Sequence, residues 1–125
     1  MSRYDAQTYA ILRIVMGFLF LCHGSQKLLG FPIGLPEGMP APIQYIAGSI
    51  ELVGGALILI GLMTRPAAFL CSGLMAAAYW LAHGTNAVLP LVNHGELAVM
   101  FCFAFLFIAA HGSGIWSVDA TRSGD

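Results

Sequence analysis

Tyr9 to Leu29 reads YAILRIVMGFLFLCHGSQKLL. Such a run is long enough for a helix across a bilayer core, which takes about 20 residues. Yet it carries Arg13, His23 and Lys27. A second apolar run, Ile43 to Met63 (IQYIAGSIELVGGALILIGLM), holds Glu51 near its middle. Ionisable groups at bilayer depth are expensive. They usually face a bundle interior or a cavity, and they mark a functional site.

Two more runs of similar character follow, Pro66–His83 and His94–His111. Across the 125 residues, 58% are hydrophobic and 9% charged, against roughly a quarter charged in a soluble domain. The mean hydropathy of +0.82 agrees. The expected fold is therefore all-α, a four-helix transmembrane bundle forming a single domain over residues 1–125. Met1 to Thr8 could imitate the start of a signal peptide. The run behind it is long, contains Arg13 and lacks a small-residue cleavage site, so a retained span is expected. A net charge of −1 gives no reason to expect a nucleic-acid partner.

Arg3, Arg65 and Arg122 all fall on one side of a four-span chain. The two connections on the other side, Gly30 to Pro42 and Gly84 to Asn93, hold no Lys or Arg. The positive-inside rule then puts both termini in the cytoplasm. Pro66 suits the first position of its helix, where a missing N–H costs nothing. Gly17 and Gly24 are seven residues apart, as are Gly48 and Gly55, and Gly54 and Gly61. That spacing keeps each pair near one helix face and predicts close helix packing.

Depth follows from the helical rise. His23 lies roughly 9 Å below the outer end of its span, and Glu51 roughly 12 Å below the outer end of the next. Lys27 sits one turn above His23 on the same face. Glu51 should therefore pair with Lys27 or His23. The outer half also collects Gln26, His83, Asn86, Asn93, His94 and Glu96, which suggests a polar pocket opening outward. Simpler roles compete. Lys27 and Arg13 can snorkel to their nearer interfaces. His83, His94 and His111 stand at expected helix ends, where they can be solvated or cap the helix. Glu51 is too short to snorkel from its depth. Phe101, Phe103, Phe105 and Phe107 alternate by two, so they spread around the last span and can face lipid or border a ring.

Cys22, Cys71 and Cys102 lie in apolar runs and read as small buried hydrophobes. No HExxH motif or Cys/His cluster occurs, so no metal ligands are expected. A bis-histidine haem would need matching depths, and His23 lies well below His83 and His94.

The chain resembles the DoxX family of small four-helix integral membrane proteins. Arg13, Gly17, Phe20, His23, Gly24 and Lys27 form one motif, R-x3-G-x2-F-x2-H-G-x2-K. Glu51, Gly54, Gly55, Gly61 and Arg65 form a second, E-x2-G-G-x5-G-x3-R. Residues Gly112 to Asp119 (GSGIWSVD) match the family's small-residue and Ser-x-Asp ending. The resemblance implies a multi-pass protein of the cell inner membrane. It also implies a quinone-interacting or accessory subunit of a membrane oxidoreductase complex, with quinone as the possible cofactor. His23, Lys27, Glu51 and Arg13 would be its candidate cofactor-binding residues, and no catalytic residue is transferable. The alternative is a non-catalytic membrane scaffold that binds a partner protein or lipid. Membrane lipid, a second copy of the chain or a partner membrane subunit are the expected partners.

The topology is testable. A cysteine introduced at Glu37, in a background lacking the three native cysteines, should react with an impermeant thiol reagent in intact cells. One at Ser123 should not. Reaction at Ser123 alone would invert the orientation.

Overall fold

The computed structural model describes residues 2–31, 33–35, 38–82 and 87–123. Those residues form helices and connecting turns, with no strand among them. A short 3-10 turn, Ser2–Tyr4, leads into α1, Asp5–Leu29. A π-helical turn, Ile43–Ala47, runs directly into α2, Gly48–Ile60. There follow α3, Thr64–Ala82, the single turn α4, Pro90–Asn93, then α5, Glu96–His111, and the short α6, Val118–Ser123.

The bundle is built from two helix pairs. α1 runs along α2 and α3 along α5, while contacts between the pairs are sparser. Glycine joins the first pair. A Cβ added at Gly17 would lie 2.5 Å from the Leu59 nitrogen, and one at Gly55 would lie 2.6 Å from the Leu21 nitrogen. One at Gly24 would strike the backbone of Leu52, and one at Gly48 would meet the Lys27 Cβ at 2.9 Å. The matched order (17 with 55 and 59, 24 with 48 and 52) makes the pair antiparallel and sets its register. Gly54 faces elsewhere, against the Cys71 sulfur of α3. In the second pair, the Ser72 hydroxyl donates to the Cys102 carbonyl at 2.7 Å. The core between the pairs contains Phe20, Ile58, Ala68, Cys71, Phe101, Phe105 and Ile108.

The helix limits have local causes. α1 starts at Asp5, ahead of the expected Tyr9, with an acidic residue in its first turn to complement the dipole. It ends at Gly30 (φ +66), whose N–H donates to the Gln26 carbonyl. α2 stops at Ile60, short of the expected Met63. Gly61 is left-handed there (φ +72), and the bonds Leu62 to Leu57 and Gly61 to Ile58 form a Schellman motif. α3 begins at Thr64, two residues before the expected Pro66. The Asp119 carboxylate accepts from the N–H groups of Met63 and Thr64, both at 3.0 Å, and so caps the helix from a distant part of the chain. The run after residue 86 was expected to be irregular to Asn93. It contains the turn α4, which His94 ends with φ +62, so α5 begins at Glu96.

Phenylalanine alternation on α5 resolves into two faces. Phe101 and Phe105 are buried, with rings stacked at 5.6 Å and both packed on Phe20, while Phe103 and Phe107 are exposed. Large apolar side chains such as Phe18, Val53, Phe69, Leu81, Met100 and Phe103 stand outward on all the long helices. An apolar surface this extensive is unusual on a soluble monomer. Ser2–Leu29 and Ile43–Ile60 are each long and apolar enough to cross a membrane, and Glu96–His111 is apolar but shorter. At 1.5 Å per residue α5 covers about 24 Å, somewhat less than a hydrocarbon core of about 30 Å.

The seam makes a sharp comparison possible. Gly24→Ala should destabilise the protein by about 1–3 kcal/mol, because its Cβ meets backbone that cannot turn aside. Gly73→Ala, on α3 with open space around the new carbon, should be neutral or stabilise by about 0.5–1 kcal/mol. Thermal unfolding in one detergent would compare them, and equal effects would discredit the seam.

Candidate functional site

Lys27 and Glu51 form a salt bridge, Nζ to Oε1 2.9 Å, with the two side chains 14% and 3% exposed. Its local cause is Gly48. A side chain there would collide with the Lys27 stem, so the bare backbone lets that stem cross α2 and reach Glu51. Glu51 is one turn beyond Gly48 on the same helix face. Among the described residues this is the one salt bridge.

The pair opens onto a cleft of about 320 Å³ between the two helix pairs, with walls from α1, α2, α3 and α5 and from His94 just before α5. His23 stands one turn below Lys27, half-buried and edge-on to Phe101, with ring centroids 5.7 Å apart. His94 also lines the cleft and is exposed. Phe20, Phe101 and Met75 supply apolar walls. The cleft therefore combines one ion pair, two imidazoles and a lipophilic wall. Its size lies near the lower end of small-molecule pockets, about 300–1,000 Å³.

The expected polar collection separates on inspection. Gln26 donates to the Gly34 carbonyl and ties the first connection to α1. Asn93 is buried. Its amide donates to the Tyr79 hydroxyl at 2.9 Å and to the Ala87 carbonyl, and its oxygen accepts from Gly95 N–H. Asn93 thus joins α3 to the start of α5. Glu96 is exposed in the first turn of α5. His111 ends α5 and stacks on Tyr9 at 3.8 Å. His83 and Asn86 lie outside the described residues.

Arg13 is far from this cleft, at the other end of α1. It is 0% exposed and does not snorkel. Nε donates to the Ile58 carbonyl (3.0 Å), Nη1 to Ser113 (2.5 Å) and Ile115 (3.0 Å), and Nη2 to Leu59 (3.4 Å) and Trp116 (2.7 Å). The guanidinium therefore closes the carbonyl end of α2 and holds the segment after α5 against it. A cation at a helix C-terminus also suits the dipole. Arg65 does the same for α5, donating to Ala109, Ala110 and His111. The Ser-x-Asp ending completes this arrangement. The Ser117 hydroxyl accepts from Ala120 N–H and caps α6, and Asp119 caps α3. Burial pushes the Asp119 carboxyl up, but the N–H groups of Thr64 and Met63 and the Arg122 charge outweigh it and hold it below the usual carboxylate range. Sequence reasoning gave no role to Asp119, because a cap supplied from about 55 residues away leaves no local spacing signal. Ser117, which caps the helix directly behind it, stands in the sequence reading only as part of the Ser-x-Asp ending.

Comparison with known proteins identifies the family. Residues 8–84 match the DoxX family. An uncharacterized protein of Haemophilus influenzae is 39% identical over 95% of this chain and 93% of its own length. The inner membrane protein YphA of Escherichia coli is 32% identical over 87% of this chain and 86% of its own. CatD of Bacillus subtilis, provisionally named an oxidoreductase, is 26% identical over 87% of this chain and 82% of its own. No solved structure matches the chain significantly. The chain belongs to the DoxX family and is a membrane protein.

The ion pair can be weighed by a double-mutant cycle. Glu51→Gln leaves an uncompensated buried ammonium and should cost about 3–5 kcal/mol. Lys27→Met should cost a similar amount, and the double variant less than the sum. Thermal unfolding in detergent measures all three. Simple additivity would show that the contact carries no coupling energy.

Proposed function

We propose that this DoxX protein is a quinone-interacting or accessory subunit of a membrane oxidoreductase complex, with the cleft beside Lys27 and Glu51 as the quinone site. The observation that carries the reading is the placement of a nearly buried ion pair and His23 against an aromatic wall. A quinone ring is flat and lipophilic and ends in two carbonyl acceptors. The residues present fit it. Lys27 has three N–H donors and gives one to Glu51, so others can reach an acceptor in the cleft. His23 can donate through a ring nitrogen from one turn below. Phe20 and Phe101 offer faces and edges for the ring.

When bound, a quinone accepts two electrons and two protons. The electrons come from the partner oxidoreductase subunit. The chain's own groups handle position and protons. Lys27 Nζ holds a proton between Glu51 Oε1 and the cleft, and the carboxylate keeps that ammonium from being expelled to the interface. His23 supplies a second exchangeable proton from one turn below. Exposed His94 provides a route from the cleft mouth to water. The provisional oxidoreductase name of CatD and the inner-membrane name of YphA support the same setting. Placement in the inner membrane with cytoplasmic termini belongs to this reading.

A scaffold role has its own support. The Lys27–Glu51 bridge also locks α1 to α2, and an ion pair kept only for register would look the same. Binding decides between them. The protein or its native complex, purified in mild detergent, should retain quinone or respond to added quinol. His23→Ala and Glu51→Gln should each weaken that response by about tenfold, the loss of roughly one hydrogen bond to a charged or buried group. An undiminished response in both variants would favour the scaffold.

A further inference from the structure

The cleft is not isolated. Beside it a groove of about 290 Å³ runs between the π-helical turn before α2 and the last turns of α3. Ile43 and Ile46 form one wall, and Leu74, Ala77 and Leu81 the other. Every residue that lines it is apolar. Ala78 belongs to both spaces, lining the groove on one side and the cleft of Lys27 and Glu51 on the other. With only a methyl at that position, one small side chain stands between the two spaces. The π-helical turn adds width at the same place. π-turns are uncommon, and they occur often at functional sites.

We infer that the groove receives the hydrocarbon tail of a single-chain quinone whose ring lies in the cleft, the tail passing at Ala78. This rests on the quinone reading of the cleft and extends it to the substrate class: a membrane-borne, tailed quinone in place of a water-soluble one. Continuity is the argument. The hydrogen-bonding side chains stand on the cleft side, and the side chains that line the groove carry no polar group. A ligand matched to both spaces has one polar end and one apolar chain. The groove is at the same end of the bundle as the ion pair, so a tail can enter from lipid without crossing the core.

The tail already resides in lipid, so moving it into the groove gains packing and little hydrophobic free energy. The expected preference is therefore modest. With the full chain in nanodiscs, a dimethoxy-methyl-benzoquinone lacking a tail and its decyl derivative would be titrated at equal concentrations within the lipid phase. Wild type should bind the decyl form about fivefold more tightly, since a few well-packed methylenes are worth about that much. Ala77→Phe fills the groove at an exposed position that does not line the cleft. It should abolish the preference and leave the tail-less quinone bound as before. Ala78→Phe, at the junction, should weaken both. Equal binding of the two quinones by wild type would overturn the tail groove while the ring site stands. So would an undiminished preference in Ala77→Phe. Binding of neither quinone would overturn both readings together.

Discussion

The close approach of α1 to α2 is the constraint on which the other features depend. Gly17, Gly24, Gly48 and Gly55 remove the side chains that would hold the two backbones apart. In a membrane, association cannot rely on burying apolar surface from water. Backbone proximity, van der Waals contact and a few polar contacts must suffice. The seam also fixes a register, and that register brings two cations of α1 to two different ends of α2. Arg13 meets the carbonyl end, where its positive charge suits the dipole. Lys27 meets Glu51 near the start. A slip of one turn would leave Arg13 without its acceptors and Glu51 without its partner.

The two ends then serve different purposes. Around Arg13 the polar groups are consumed by structure: each donor of the guanidinium finds a carbonyl, Arg65 closes α5, and Asp119 closes α3. Around Lys27 the bonding is less complete. The ammonium has donors to spare, His23 has a ring neighbour, and a cleft separates the helix pairs. Four helices held equally tightly would leave no such space. Because the strong packing is within pairs, the weaker junction between them can open at one end without loosening the seam.

Much of this was legible in the sequence. Helical rise alone put Glu51 level with His23 and within reach of Lys27, and the seven-residue glycine spacing foretold the seam. Arg13 was ambiguous for a physical reason. A cation near a span end can snorkel or can cap a neighbouring helix, and only the position of the last carbonyls of α2 distinguishes these. Alternation of the phenylalanines showed that α5 has more than one aromatic face, but not that Phe101 and Phe105 turn inward. Gly48 was visible as a packing residue, though its service to the Lys27 stem was not. The caps at Met63 and Thr64 had no local signature, since their acceptor arrives from Asp119.

The Arg13 cluster has a bearing on the order in which the molecule is made. α1 and α2 are synthesised first and can pair early through glycine and through Lys27 and Glu51, all within the first half of the chain. Arg13, however, takes three of its five acceptors from Ser113, Ile115 and Trp116. Those carbonyls are made only after α5. Until then a guanidinium in the first span has two acceptors on α2 and must find water or lipid headgroups for its other donors. The Lys27 end of this hairpin can thus be completed before the Arg13 end. A chain shortened before residue 113 would leave this guanidinium without three of its five acceptors.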